Sequence, residues 1–316
     1  MEPSNESSGI IWTGTMKTAF IFTIFVLAIS FCSPCFAQGD FVDGVDLTTV
    51  KAPWTMRILG NGLDIANVQA KPDEASAYFM MTSESSKLNV SVFIEPVDKC
   101  KSGDGCRDYV LGLGNPKWGK FEQLSKGRIK DFSYFEFYRP EVDGQPVKML
   151  DMYAEYVSEG YWIDLHISKA LYTKEDHALF EKVVNSVVFI PRTGAPSTSF
   201  DAQLGKGHTA VAAWLGLWDK DKCKESYAAL SPMTREGVSE TAWFGYCLRM
   251  KQDLGANRSR KLIAAAFARS LPAKTDHPLA VLAYHSSFAN QPSIVELAAL
   301  ELAKDGSWVM TNYIPN

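Results

Sequence analysis

Residues 17–37 have the layout of a cleavable export leader, and this decides how the cysteines, and with them the fold, are read. Lys17 supplies the positive n-region, Ala19 to Phe31 is an uncharged apolar run, and Cys35-Phe36-Ala37 places small residues at a cleavage site before Gln38. The run has 13 residues, short of the ~20 that a spanning helix needs. The expectation is therefore removal of residues 1–37, with no stable membrane span left, and an uncleaved N-terminal anchor is the alternative. Met16 stands directly before Lys17, and a start there would give a compact leader; residues 1–15 show no apolar pattern. Phe31 before Cys32 argues against a lipidated cysteine, since that site needs a small preceding side chain.

Export removes Cys32 and Cys35 and leaves Cys100, Cys106, Cys223 and Cys247 in a compartment where disulfides persist. Four cysteines allow three pairings. Cys100–Cys106 with Cys223–Cys247 keeps each bond inside one half of the chain, and it is the expected pairing. A metal site is the rival reading, but no Cys-x-x-Cys pair survives cleavage and no histidine stands at ligand spacing beside a cysteine. No metal and no cofactor is expected.

Of 316 residues, 279 follow residue 37, enough for two ordinary domains. The net charge of −4 becomes −3 once Glu2, Glu6 and Lys17 are gone. Such mild acidity offers no footprint for nucleic acid or anionic lipid. With 46% hydrophobic residues the chain can fill a core, so disorder is not indicated. Pro191 to Lys206, PRTGAPSTSFDAQLGK, is the expected linker between domains at 41–190 and 207–316.

The first segment is strand-rich. Ala77–Met81, Leu88–Ile94 (ended by Pro96), Phe132–Tyr138, Val147–Val157 and Tyr161–Ser168 alternate or run apolar between turn residues. Asp143-Gly144 and Glu159-Gly160 supply two of the turns. Ser102 to Gly105 reads as a turn inside the Cys100–Cys106 loop, 107–114 as a short helix ended at Asn115-Pro116, and Thr173-x-x-Asp176 as the cap of a helix with His177, Phe180, Val183 and Val184 on one apolar face. Val187–Ile190 is a last strand.

The second segment opens with a helix whose Ala210, Ala213, Trp214 and Leu217 fall at i, i+3, i+4 and i+7, with Trp218 widening the stripe. A short helical stretch follows from Cys223 to Leu230. A helix over Glu240–Leu254 presents Trp243, Cys247, Met250 and Leu254 and stops at Gly255. Lys261–Leu271 is ambiguous: its alanines favour a helix, while Pro272–Pro278 suggests a hairpin into Leu279–Phe288. Ser293–Ala303 and Trp308–Ile314 flank the turn Lys304-Asp305-Gly306-Ser307. Helices first and strands last give an α+β domain.

Two resemblances add to this. Tyr161-Trp-Ile-Asp-Leu-His-Ile-Ser, Phe180 to Val184 and Asn185-Ser-Val-Val-Phe189 resemble the PsbP-like fold, an antiparallel sheet sandwiched by helices whose members bind partners or act as assembly factors; the resemblance implies no catalytic residues. Ala213-Trp214-Leu215, Trp218-Asp219, Trp243, Arg249, Leu254-Gly255, Arg258, Tyr284, Phe288, Glu296, Asp305-Gly306-Ser307-Trp308 and Tyr313-Ile314 resemble a bacterial domain-of-unknown-function family with a nuclear-transport-factor-2-like, or cystatin-like, architecture. That resemblance implies a strand for Lys261–Leu271.

A curled sheet closed by helices often encloses a pocket, and Trp214, Trp218, Trp243, Tyr246, His285 and Glu296 are the residues placed to line it. His285 with Glu296 could do acid–base work, and Arg249 with Arg258 could meet an anion. Trp162, Asp164 and His166 alternate onto one strand face as a polar patch. Nucleophile-elbow, P-loop, His-Glu-x-x-His and dinucleotide glycine motifs are absent. The reading favours an exported, periplasmic, non-enzymatic binding or assembly module for another envelope protein. The alternatives are a carrier of a small apolar ligand or lipid fragment in the second domain, and a pocket enzyme using His285 and Glu296.

Overall fold

Strict alternation along a strand decides which side chains enter a core, and it is clearest in Ala77–Ser83, where every second residue is buried. The computed structural model describes residues 44–60, 62–114, 122–142, 144–192, 199–268 and 278–315. The leader, Asn115-Pro116, Asp143 and residues 269–277 of the expected hairpin lie outside them.

The chain is α+β with two antiparallel sheets, each of seven strands among the described residues. The first contains β1 (Gly44–Thr49), β2 (Trp54–Leu59), β10 (Val187–Pro191), β11 (Asn257–Ala268), β12 (Leu279–Phe288), β13 (Ile294–Leu302) and β14 (Trp308–Pro315), in the order β10-β2-β1-β11-β12-β13-β14. The second contains β3 (Asp64–Ala70), β4 (Ala77–Ser83), β5 (Leu88–Pro96), β6 (Glu122–Ile129), β7 (Phe132–Val142), β8 (Gln145–Ser158) and β9 (Tyr161–Lys169), in the order β3-β4-β5-β9-β8-β7-β6.

The first sheet draws on both segments of the sequence. Its β1 pairs with β11, from Val45 opposite Ala268 to Thr49 opposite Ala264. Hydrogen bonds thus run between residues on either side of 191–206, and Phe36–Asn316 forms one compact unit. Part of the expected linker is helical: α3 (Ser199–Asp219) begins inside it, and Leu204 is buried.

Val45, Leu47, Met56 and Ile58 of the first sheet share one core with Phe79, Val90, Val92, Ile163 and Leu165 of the second. Phe180, Val183 and Val184 of α2 (His177–Ser186) belong to it too. The opposite face of β11–β14 is covered by α3, α4 (Cys223–Ala228), α5 (Pro232–Gly237) and α6 (Glu240–Leu254). On the outer face of the second sheet, Val110 and Leu111 of α1 (Gly103–Leu113) pack on Phe135 and Phe137.

Several local expectations are corrected. Ser102 to Gly105 is not a free turn: Ser102 caps α1 by accepting the Gly105 N–H, so the helix starts inside the disulfide loop. The buried stripe of α3 is Val211, Trp214, Leu215 and Trp218, whereas Ala213 faces solvent. This helix has apolar residues on most sides, and the bulkier row wins the core because it removes more apolar area from water. Ser231 accepts the Thr234 N–H and caps α5. The described part of the ambiguous segment, residues 261–268, lies in strand β11. Both disulfides, Cys100–Cys106 and Cys223–Cys247, are formed as expected. Among the described residues, no helix is long and apolar enough to cross a membrane.

Candidate functional site

Trp214 and Trp218 lie one helical turn apart on α3, and Trp243 and Tyr246 three residues apart on α6, so the four rings converge above the sheet. Ring centroids are 5.5 Å apart for Trp214–Trp218, 6.0 Å for Trp218–Trp243 and 4.9 Å for Trp218–Tyr313. The rings therefore touch one another. Three of the polar tips are also taken: Trp214 Nε1 donates to Ser226 O at 2.9 Å, Trp243 Nε1 to Ser226 Oγ at 3.1 Å, and Tyr246 OH to Tyr313 O at 3.1 Å. Burial pushes the Tyr246 phenol up to about 12, against the opposing charge of Arg249.

Glu296 on β13 is fully buried beneath this cluster. Arg260 of β11 donates to it from Nε at 2.6 Å and Nη2 at 2.9 Å, and Ser286 and Tyr313 hydroxyls each donate to one of its oxygens. Arg260 also forks onto Asp219, at the end of α3, at 2.8 and 3.3 Å. Burial opposes the Arg260 charge, and the carboxylates of Glu296 and Asp219 outweigh it. Each Glu296 oxygen accepts two hydrogen bonds, so the site is a closed knot tying four strands to a helix.

His285 is not part of it. Tyr284 stands opposite Glu296 and His285 opposite Val295, which puts His285 and Glu296 on opposite faces of the sheet. His285 Nε2 pairs with Ser293 Oγ at 3.0 Å. Arg249 lies 6.0 Å from the Tyr246 ring and Arg258 is exposed on β11, so the structure does not show the two converging on an anion site.

The outer face of the second sheet is different. Trp162, Asp164 and His166 of β9 share that face as their spacing predicts, and tertiary pairing adds Asp151, Tyr153 and Glu155 from β8 and Ser91, Phe93 and Glu95 from β5. His166 is stacked 4.2 Å from the Tyr153 ring; its Nε2 is 2.9 Å from Asp151 Oδ1 and its Nδ1 3.5 Å from Ser91 Oγ. Arg139 forks onto Asp151 at 2.7 and 2.9 Å. Burial alone would raise the Asp151 carboxyl, and the bonds from His166 and Arg139 hold it below its ordinary range instead. The row Ser91–His166–Asp151 has the order of a hydrolytic triad, but β5 is paired on both sides, so its N–H groups are committed to the ladder and none is left for an oxyanion.

Two strand positions toward the β8–β9 turn, Glu155 stands directly opposite Asp164. Cross-strand neighbours hold their Cβ atoms about 5 Å apart. Trp162 Nε1 donates to Glu155 Oε2 at 2.5 Å, while Glu155 Oε1 and Asp164 Oδ1 are both shielded from solvent and accept no hydrogen bond. Burial raises the Glu155 carboxyl well above its ordinary range, and the Asp164 charge adds to the shift against the Trp162 bond. Asp164 is pushed up to about 6 by burial, with His166 opposing and Glu95 adding. Sequence reasoning missed Glu155, although the signal was present. The two-residue turn Glu159-Gly160, with φ of 47° and 82°, fixes Ser158 opposite Tyr161, and counting back along the hairpin sets Glu155 against Asp164.

No curated protein matches the chain. Among solved structures, the chain is similar over its N-terminal region to cyanobacterial PsbP (CyanoP) from Synechocystis sp., at 15% identity and a TM-score of 0.34, covering 49% of this chain and 97% of that one. A crystal structure from Bacteroides thetaiotaomicron is similar at 8% identity and a TM-score of 0.34, covering 78% of this chain and 87% of that one. Residues 210–313, in the half likened from its sequence to a family of unknown function, match the family described as a protein of unknown function, DUF4019.

Proposed function

We propose that this chain is an exported, non-enzymatic binding or assembly module of a bacterial envelope, acting in the periplasm on another envelope protein. The observation that carries this reading is the contrast between its two buried acidic sites. The polar groups under the aromatic cluster are consumed by one another, whereas the outer face of the second sheet keeps carboxyl oxygens uncommitted beside aromatic rings. A disulfide on each side of 191–206 supports an oxidising compartment. We read the two parts as a PsbP-like sandwich and a cystatin-like, nuclear-transport-factor-2-like domain, the latter from its order of helices α3–α6 before strands β11–β14. Touching rings and the separation of His285 from Glu296 leave ligand carriage and pocket catalysis in that domain without a supporting observation.

The test is photo-crosslinking in the exporting cell, with a benzophenone side chain at Tyr78 on the outer sheet face or at Leu248, exposed on α6. A single envelope-protein adduct from position 78 and not from 248 is expected. The absence of adducts from both, with a small molecule carried through native mass spectrometry of the purified protein, would replace this reading with ligand carriage.

A further inference from the structure

We propose that Glu155 and Asp164, flanked by Trp162 and Phe93, form a binding site for an ammonium or guanidinium group. Glu155 is fully buried, yet one of its oxygens has no partner, and the same holds for the shielded Asp164 Oδ1 across the strand pair. A buried acceptor left unmet costs stability, and a fold that keeps two of them side by side is holding a place for donors. Ionised carboxylates only accept, and ammonium and guanidinium groups only donate.

The chain does not fill the place itself. The titratable and charged groups around the pair are Glu95 on β5 with Lys71 4.0 Å from it, Tyr78 on β4, Asp151 and Tyr153 on β8, His166 on β9, Arg139 on β7, Arg128 and Lys126 on β6, and Asp104, Arg107, Asp108 and Tyr109 on α1; Lys126 pairs with Asp108 at 3.3 Å. Arg139 and His166 are bound to Asp151, and Arg107 and Arg128 to Asp104, with Arg107 also on Asp108. Among the described residues no cation of the chain pairs with Glu155 or Asp164. The same residues hold no cluster of three or more metal-ligating side chains, and a hard divalent ion takes six or more oxygens where two are on offer. Phe93, opposite Asp164 on β5, and Trp162, edge-on to Tyr109 of α1 at 6.2 Å, place aromatic rings about the pair. Such surfaces attract an organic cation and lie against its alkyl stem. Asp164 and Trp162 are part-exposed, so the pair keeps an edge in reach of solvent.

The ligand competes with a proton. Because burial favours the protonated pair and Asp164 titrates at about 6, affinity for the cation rises about tenfold from pH 5 to pH 7. The cation has two possible sources, a lysine or arginine of a partner protein and a free amine. The inference rests on the binding-module reading for the first source only.

The experiment is isothermal titration of the oxidised protein with n-butylammonium, with n-butylguanidinium, and with a short peptide containing lysine and arginine, at pH 5 and pH 7. Expected are binding that strengthens about tenfold with this pH change, proton release seen as buffer-dependent heat, and at least a tenfold loss in Glu155→Gln and in Asp164→Asn, with each variant as stable as the parent or more so. Peptide binding tighter than that of either small cation supports a protein partner. Binding of the small cations without the peptide keeps this site and removes the protein-partner reading. No heat from any of the three probes, equal affinity in the variants, or destabilisation by Glu155→Gln would each overturn the site and make the pair a structural, proton-sharing one.

Discussion

Glu296 and Glu155 are both fully buried carboxyls in the middle of antiparallel sheets, yet their surroundings differ in kind. Glu296 meets a guanidinium and two hydroxyls, and every lone-pair direction is used. Glu155 meets one indole N–H and a second carboxyl. A buried charge is tolerable when its geometry returns the lost hydration, and the first site does this from within the chain. The second does not. The comparison teaches that burial alone says little about role: completeness of hydrogen bonding separates a structural knot from a site that waits for something else.

The largest effect is expected from breaking the complete site. Glu296→Ala strands Arg260 and two hydroxyls, and should cost about 3–5 kcal/mol in urea unfolding. A loss under 1 kcal/mol would mean that water replaces the carboxylate and that the knot is not closed. Next come the disulfides. Replacing Cys223 and Cys247 by serine frees a 24-residue separation between α4 and α6 and should cost about 3 kcal/mol, against about 2 kcal/mol for the six-residue separation of Cys100 and Cys106. Equal losses would show that native packing, rather than chain entropy, sets their worth.

The smallest effect has the opposite sign. Glu155→Gln removes a buried acid that the fold prefers protonated, and should stabilise the protein by about 1 kcal/mol at pH 7. The pH dependence sharpens it. Glu155 and Asp164 both have folded values raised above the ~4 of an unfolded carboxyl. Their stabilising contribution is therefore complete below about pH 4; that of Asp164 is lost as pH rises through about 6, and that of Glu155 as pH rises through its own raised value. Thermal midpoints across this window should fall less steeply in Glu155→Gln than in the parent. A steeper fall would mean that Glu155 is ionised and paired in the folded state.

Much of this fold was legible from residue order, and the failures have physical reasons. Strands such as Ala77–Ser83 and Tyr161–Lys169 were found because one side is core and the other is not. Strand β1 was missed because it is buried on both faces and does not alternate, and β6 because it is an edge strand of charged and polar residues. Strand β11 is alanine-rich, and local propensity points to a helix there; pairing with β1 and β12 overrides it. The candidate site divides the same way. Period-two spacing placed Trp162, Asp164 and His166 on one face, whereas five of the six residues proposed to line a pocket pack together and the sixth, His285, lies on the far side of the sheet.

The chain's own order of residues favoured the cysteine pairing that forms and determined where helix α6 begins and ends and which face of β9 is polar, the last two because they depend on contacts within a few residues or a short hairpin. Tertiary structure alone decided that β1 joins β11, that Glu296 is neutralised by Arg260, which it shares with Asp219, and that Glu155 Oε1 and Asp164 Oδ1 are shielded without a hydrogen-bond donor. Those outcomes depend on which strands become neighbours across a sheet. Burial and hydrogen-bond completeness are properties of that assembled neighbourhood, and no local pattern encodes them.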